Sequence, residues 1–296
     1  MNKQSLFPNE PDKILDQLIR SVRSPEGEFS SEESYKKFRE RLPQQKKFKR
    51  YSLFRYAAAA VILLMVSSSL IYFITQKERE MIMVATADEI KKVVLPDGTT
   101  VLLSRYSNLA YPSQFKQTGR EITLEGEGYF EVTKNEHAPF TVTTQDIIVK
   151  VLGTRFNVRA YSQNSEIETT LLEGSVEVSR PNNEHTILLK PNEMAVFRKE
   201  SGELLSLPHP TPANEITWTD DVLLFSNIPL SRIAEDLSNH FNIKIRITDE
   251  KLKTYRLTAR FENRESLEEI LNLLQSTANF DWKKEADSIT IKPNQQ

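Results

Sequence analysis

Four histidines, His137, His185, His209 and His240, are the residues of this 296-residue chain whose chemistry would be easiest to see. No two stand at i, i+4, so the helical spacing that would hold a zinc ion is missing. There is no cysteine, which removes disulfides, thiol catalysis and thiolate-bound metals together. The chain contains no nucleophile elbow, phosphate-cradling loop or dinucleotide fingerprint. Asp220-Asp221 and Glu268-Glu269 are adjacent acids, and neighbours on a strand or helix point apart, so paired-carboxylate hydrolysis lacks local support. Tyr129, Phe130, Phe140 and Phe156 fall at strand positions and read as core rather than as a platform for stacking sugars. The residues advertise neither an enzyme nor a cofactor or metal site.

Composition points the same way. Thirty-nine basic and 41 acidic residues give a net charge of −2, with no global basic field for direct nucleic-acid binding. The charge is uneven, however: residues 1–55 hold 13 basic and 8 acidic groups, leaving 26 basic and 33 acidic for the rest. At the pivot lies Tyr56 to Ile74, without a charged residue, long enough as a helix to match a hydrocarbon core roughly 30 Å thick. Arg41, Lys46, Lys47, Lys49, Arg50 and Arg55 precede it with no acid among them. The expectation is a single-pass membrane protein, amino terminus in the cytoplasm, with 56–74 as an uncleaved anchor.

Before that run, residues 1–55 carry two amphipathic stripes, Ile14, Leu15, Leu18, Ile19 and Val22, and then Tyr35, Phe38 and Leu42. Ser30 with Glu33 offers a capping box to the second. The segment is either a solvated tether with a lipid-attracted basic patch or one whose stripes complete their burial on a partner protein.

After it the period changes to two. Over 86–205, β-branched alternation is broken by Pro96-Asp97-Gly98, Gly119, Glu125-Gly126-Glu127-Gly128, Glu173-Gly174 and Pro191-Asn192. This spacing predicts an all-β domain, a sandwich or a solenoid-like stack. A proline-rich linker, 206–217, leads to an α+β domain over 218–293 built of two βαβ repeats. A shift of 37 residues lays Leu230 on Leu267, Ile233 on Ile270, Leu237 on Leu274 and Asn242 on Asn279.

Five stretches carry a resemblance. They are Leu95-Pro-Asp-Gly-Thr-Thr-Val-Leu-Leu-Ser, Leu124-Glu-Gly-Glu-Gly-Tyr-Phe-Glu-Val, Pro139-Phe-Thr-Val, Val151-Leu-Gly-Thr-Arg-Phe-Asn-Val and Leu172-Glu-Gly-Ser-Val-Glu-Val. In this order they resemble the FecR family of anti-sigma factors. Ser34-Tyr-Lys-Lys-Phe-Arg-Glu-Arg-Leu is also family-like. The doubled βαβ after Leu224-Phe-Ser-Asn-Ile-Pro-Leu is similar to the C-terminal domain of Bacteroidetes-type members and to the short signalling domain of secretins and TonB-dependent transporters.

The resemblance implies a transmembrane anti-sigma factor of the bacterial inner membrane, not an enzyme, that binds an extracytoplasmic-function sigma factor in the cytoplasm through Leu15, Leu18, Ile19, Val22, Tyr35, Phe38 and Leu42. It implies a periplasmic signal from the signalling domain of a TonB-dependent outer-membrane transporter, docking near Leu223, Phe225, Ile243 and Ile245. An intramembrane protease then acts on the regulator, and nutrient-uptake genes respond, with no cofactor and no direct nucleic-acid contact. Some members are thought to break themselves at a Gly-Thr bond, matched here by Gly153-Thr154, where the hydroxyl would attack the preceding carbonyl. The same pair also reads as a bulge glycine beside a strand-forming threonine. A rival reading of the whole is a membrane-tethered periplasmic scaffold of an envelope complex. A membrane-anchored glycan-processing enzyme is a third.

Overall fold

The computed structural model describes residues 11–21, 31–41, 50–75, 80–181, 185–262 and 265–294. The chain forms two compact units, Met1–Lys77 and Glu78–Gln296.

The first unit is helical: α1 (Pro11–Ser21), α2 (Ser31–Arg41) and α3 (Arg50–Thr75). α2 carries Glu32 and Glu33 in its first turn and Arg39 and Arg41 in its last, the order that complements the helix dipole. Ser30, its expected cap, lies outside the described residues. The apolar run lies within α3, but among the described residues no helix is long and apolar enough to cross a membrane. The single-pass expectation is therefore corrected. Ala57 to Ala60 are only mildly apolar, and Ser67 to Ser69 interrupt the run with hydroxyls, that of Ser67 turned back to the Leu64 carbonyl at 3.0 Å.

The second unit opens with strands β1 (Met81–Ala85), β2 (Lys91–Val94), β3 (Thr100–Leu103), β4 (Asn108–Pro112), β5 (Arg120–Glu131), β6 (Phe140–Thr143) and β7 (Ile148–Val151). It continues through β8 (Arg155–Ala160), β9 (Glu166–Glu173), β10 (Val176–Ser179), β11 (Thr186–Leu189), β12 (Glu193–Arg198) and β13 (Glu203–Pro208). These make one 13-stranded sheet that doubles over on β5. The first half of β5 pairs with β4 and, in parallel, with β6; the second half pairs with β3 and β8. Around it the halves run β1-β4-β5-β6-β7-β10-β11 and β2-β3-β5-β8-β9-β12-β13.

Gly126 is where β5 passes between the halves. Its φ of +100° suits only glycine, and a Cβ there would stand 2.3 Å from the Ser107 Oγ. That hydroxyl instead accepts the Glu127 N–H at 2.9 Å. Between the halves lies one core, in which Phe130 stacks on Phe156 with centroids 5.0 Å apart. Asp97, in the turn before β3, accepts Thr99 N–H at 3.0 Å and the buried Arg120 guanidinium at 2.7 Å. The turn chemistry is thus tied to the start of β5.

A 3-10 turn, Pro212–Asp220, leads into the α+β domain. Its elements are β14 (Leu223–Pro229), α4 (Leu230–Phe241), β15 (Lys244–Ile247), α5 (Glu250–Thr254), β16 (Arg256–Phe261), α6 (Leu267–Ala278), β17 (Phe280–Glu285) and β18 (Ser288–Pro293). β14 pairs with β16, and β15-β18-β17 form a second sheet. The 37-residue repeat is visible in the helix ends: α4 stops at Asn242 with φ 48° and α6 at Asn279 with φ 45°. Asparagine tolerates this left-handed conformation that most residues avoid. The buried faces Leu230, Ile233, Leu237 and Leu267, Ile270, Leu274 fill one shared core.

Candidate functional site

β8 and β9 depart from the alternation that a one-sided strand shows. Their burial runs through consecutive residues because α4 and the 3-10 turn bear charged side chains onto their outer face. Arg159 of β8 is 3% exposed and Glu168 of β9 is 6% exposed. The Arg159 Nε donates to Glu168 at 3.1 Å, one Nη donates to Asp236 of α4, and the other lies 3.7 Å from Glu235. From the opposite side, Arg232 of α4 donates through both Nη atoms to Glu168. The same guanidinium lies 3.3 Å from Asp236 and 3.6 Å from Glu215 of the 3-10 turn. Glu168 is thereby held between guanidiniums of two domains, a geometry in which each partner makes removal of the other costly.

Further side-chain hydrogen bonds and the Arg105 ion pairs extend this junction. Ser165 donates to Glu235 at 2.8 Å and Gln163 to Asn239 at 2.9 Å. Arg105 donates to Asp88 and Asp221, each at 3.1 Å, and its carbonyl accepts the Tyr161 hydroxyl at 3.0 Å. Between the domains lies a cavity of about 90 Å³ whose walls include Glu127, Arg159, Tyr161, Trp218 and Phe225. Glu127, on β5, accepts from the neutral Asn157 amide at 2.8 Å.

Burial dominates the electrostatics. It pushes the Glu127 carboxyl up to about 8, against the opposing pull of Arg159 and Asn157. It pushes Glu168 up to about 8 and Asp236 up to about 6, with Arg159 again opposing. Burial by itself would lower Arg159, but Glu168, Asp236, Glu127 and Glu235 outweigh it and raise the guanidinium further. The Tyr161 hydroxyl is raised by burial and then by Glu127. Nothing in this arrangement presents a nucleophile beside a base; it joins domains. Among the described residues no group of histidines and carboxylates could hold a metal ion.

The other candidate residues lie elsewhere. On α1, Leu15 is half-buried, while Leu18 and Ile19 are 57% and 37% exposed. On α2, Tyr35 is half-buried and Phe38 exposed; Val22 and Leu42 lie outside the described residues. Leu223 and Phe225 sit in the core of the α+β domain, whereas Ile243 and Ile245 are half-buried beside a groove shared with Gln163 and Asn164. Gly153 and Thr154 join β7 to β8. A Cβ on Gly153 would stand 2.6 Å from the Lys134 Cα, and the buried Thr154 hydroxyl donates to the Ser175 carbonyl at 2.9 Å. Sequence reading missed the Arg159-Glu168-Arg232-Asp236 cluster. The available signal was a pair of charged residues inside two otherwise core-like strands.

Comparison with known proteins follows the same division. The model described as "FecR protein" matches residues 82–177, and that described as "FecR, C-terminal" matches residues 222–291. Two crystal structures, at 1.65 and 2.50 Å, of a protein from Parabacteroides distasonis assigned as an anti-sigma factor are similar to this chain. Each is 31% identical with a TM-score of 0.64; the matches cover 72% and 73% of this chain and 100% of the other. No curated protein sequence matches. By these matches, the chain belongs to the FecR family of anti-sigma factors.

Proposed function

We propose that this chain holds an extracytoplasmic-function sigma factor through α1 and α2. Residues 81–293 would take their signal from the signalling domain of a TonB-dependent outer-membrane transporter, so that nutrient-uptake genes respond to cargo outside. In this reading α1 and α2 are the sigma-binding end, the β and α+β domains are the signal-receiving end, and a protease severs the two to free the sigma factor. The observation that supports it is the joint presence of both family regions in one chain whose amino-terminal helix keeps apolar side chains exposed at Leu18 and Ile19. An exposed apolar stripe on an amphipathic helix suits a partner's groove.

For the transporter, β15 pairs with β18 on one side only, with Ile245 half-buried on it and Ile243 half-buried just before it, a place for strand addition. The test is co-purification of the full chain with its sigma factor and with the transporter's signalling domain. Leu18→Glu with Ile19→Glu is expected to weaken the sigma complex by at least about 30-fold, the scale of losing an interface hot spot. Deleting residues 220–296 is expected to abolish transporter binding. Retention of both partners by these variants overturns the reading.

A further inference from the structure

The junction between the β and α+β domains is over-supplied with acid. Glu127 comes from β5, Glu168 from β9, Glu215 from the 3-10 turn, and Glu235 and Asp236 from α4. Facing these five are two guanidiniums, Arg159 and Arg232, both already committed. Among the described residues Glu127 has no ion pair of its own: its carboxylate accepts from the Asn157 amide. Buried carboxylates in excess of cations do not stay ionised at no cost; they keep protons or push the surfaces apart.

We propose that this junction is a proton-operated latch. With protons on the surplus acids the α+β domain is clasped to the β domain, and as those protons leave the clasp loosens. The direction follows from burial, which holds Glu127 and Glu168 up at about 8 and Asp236 up at about 6. A carboxyl whose docked value lies above its free value contributes most to docking below the free value. That contribution is lost as pH rises through the docked value. His209, whose Nε2 is 3.4 Å from Glu215, and His240, which lines the same cavity, also face the junction. Tyr161 keeps its proton throughout, its hydroxyl raised by burial. Arg105, bonded to Asp88 and Asp221, is a second tie between the domains, so the latch opens without the domains parting. The latch concerns domain packing and stands whether or not the proposed partners are correct.

Trp218 lines the junction cavity, and Trp282 is the chain's second tryptophan. The full chain carrying Trp282→Phe therefore reports the junction by fluorescence. Between pH 6 and 9 its emission is expected to move to longer wavelength, with far-UV circular dichroism unchanged. Adding Glu127→Gln is expected to remove at least half of that shift, and Asp236→Asn serves the same purpose if the glutamine variant does not fold. Trp218 emission that stays constant across this range overturns the latch, and so does a titration unchanged by the amide variant that folds.

Discussion

Single side chains carry the tightest constraints. Arg159 serves three acids from a position 3% exposed, so Arg159→Met removes one of the two guanidiniums that hold the buried Glu168 and its neighbour Asp236. A loss of about 3–5 kcal/mol in unfolding free energy is expected by urea denaturation, the scale for breaking a buried pair from one side. Gly126→Ala meets both an unfavourable φ of +100° and the Ser107 side chain at 2.3 Å. The backbone conformation alone costs about 1–2 kcal/mol, and the collision adds to it, so this variant is expected to lower the melting temperature by more than about 4 °C. Thr154→Val removes a buried hydroxyl whose bond to the Ser175 carbonyl is 2.9 Å long. Its stability cost is expected to be about 1 kcal/mol. Mass spectrometry of the freshly purified parent and this variant decides the self-cleavage proposal: a fragment beginning at Thr154 in the parent alone supports it, and an intact parent removes it.

At the scale of elements, the two helices of the α+β domain show how local chemistry sets boundaries. Ser266 accepts the Glu269 N–H, and Glu269 reaches back to the Ser266 N–H at 2.7 Å, closing a capping box before α6. These bonds, first the one from the Ser266 backbone, hold the Glu269 carboxyl below its ordinary value. Ser266→Ala is expected to cost about 1 kcal/mol and to raise the Glu269 titration, followed by NMR. Such features were legible in the sequence: the Ser266-Glu269 spacing, the Asn242 and Asn279 stops and the helix stripes all depend on residues within a few positions of one another. The strand alternation was legible for the same reason. What could not be read joins distant residues. Arg159 and Asp236 are 77 positions apart, and Arg232 and Glu168 are 64 apart. Each charged residue taken alone suggests a solvated surface. The kink at Gly126 reads as one more turn glycine until β5 is seen paired on both sides of it. The apolar run before β1 reads as a membrane span, whereas among the described residues no helix is long and apolar enough to cross a membrane.

Across the whole molecule, the acids of the junction set the pH response. Because burial holds Glu127, Glu168 and Asp236 above their ordinary values, the stability tied to them is fullest below about pH 4 and diminishes as pH climbs through 6 to 8. Urea midpoints for the full chain are expected to be lower at pH 8.5 than at pH 5.5. A flat profile would mean that the carboxyls ionise without disturbing the packing around them. The doubled sheet has a different kind of consequence. β7 and β8 are consecutive along the chain, yet each is hydrogen-bonded into the other's side of the break: β8 lies on β5, and β7 lies on β10. A single nick between them would release neither piece. The severed halves would stay interlocked like clasped hands, parting only when something peels β8 and β10 away from their older neighbours.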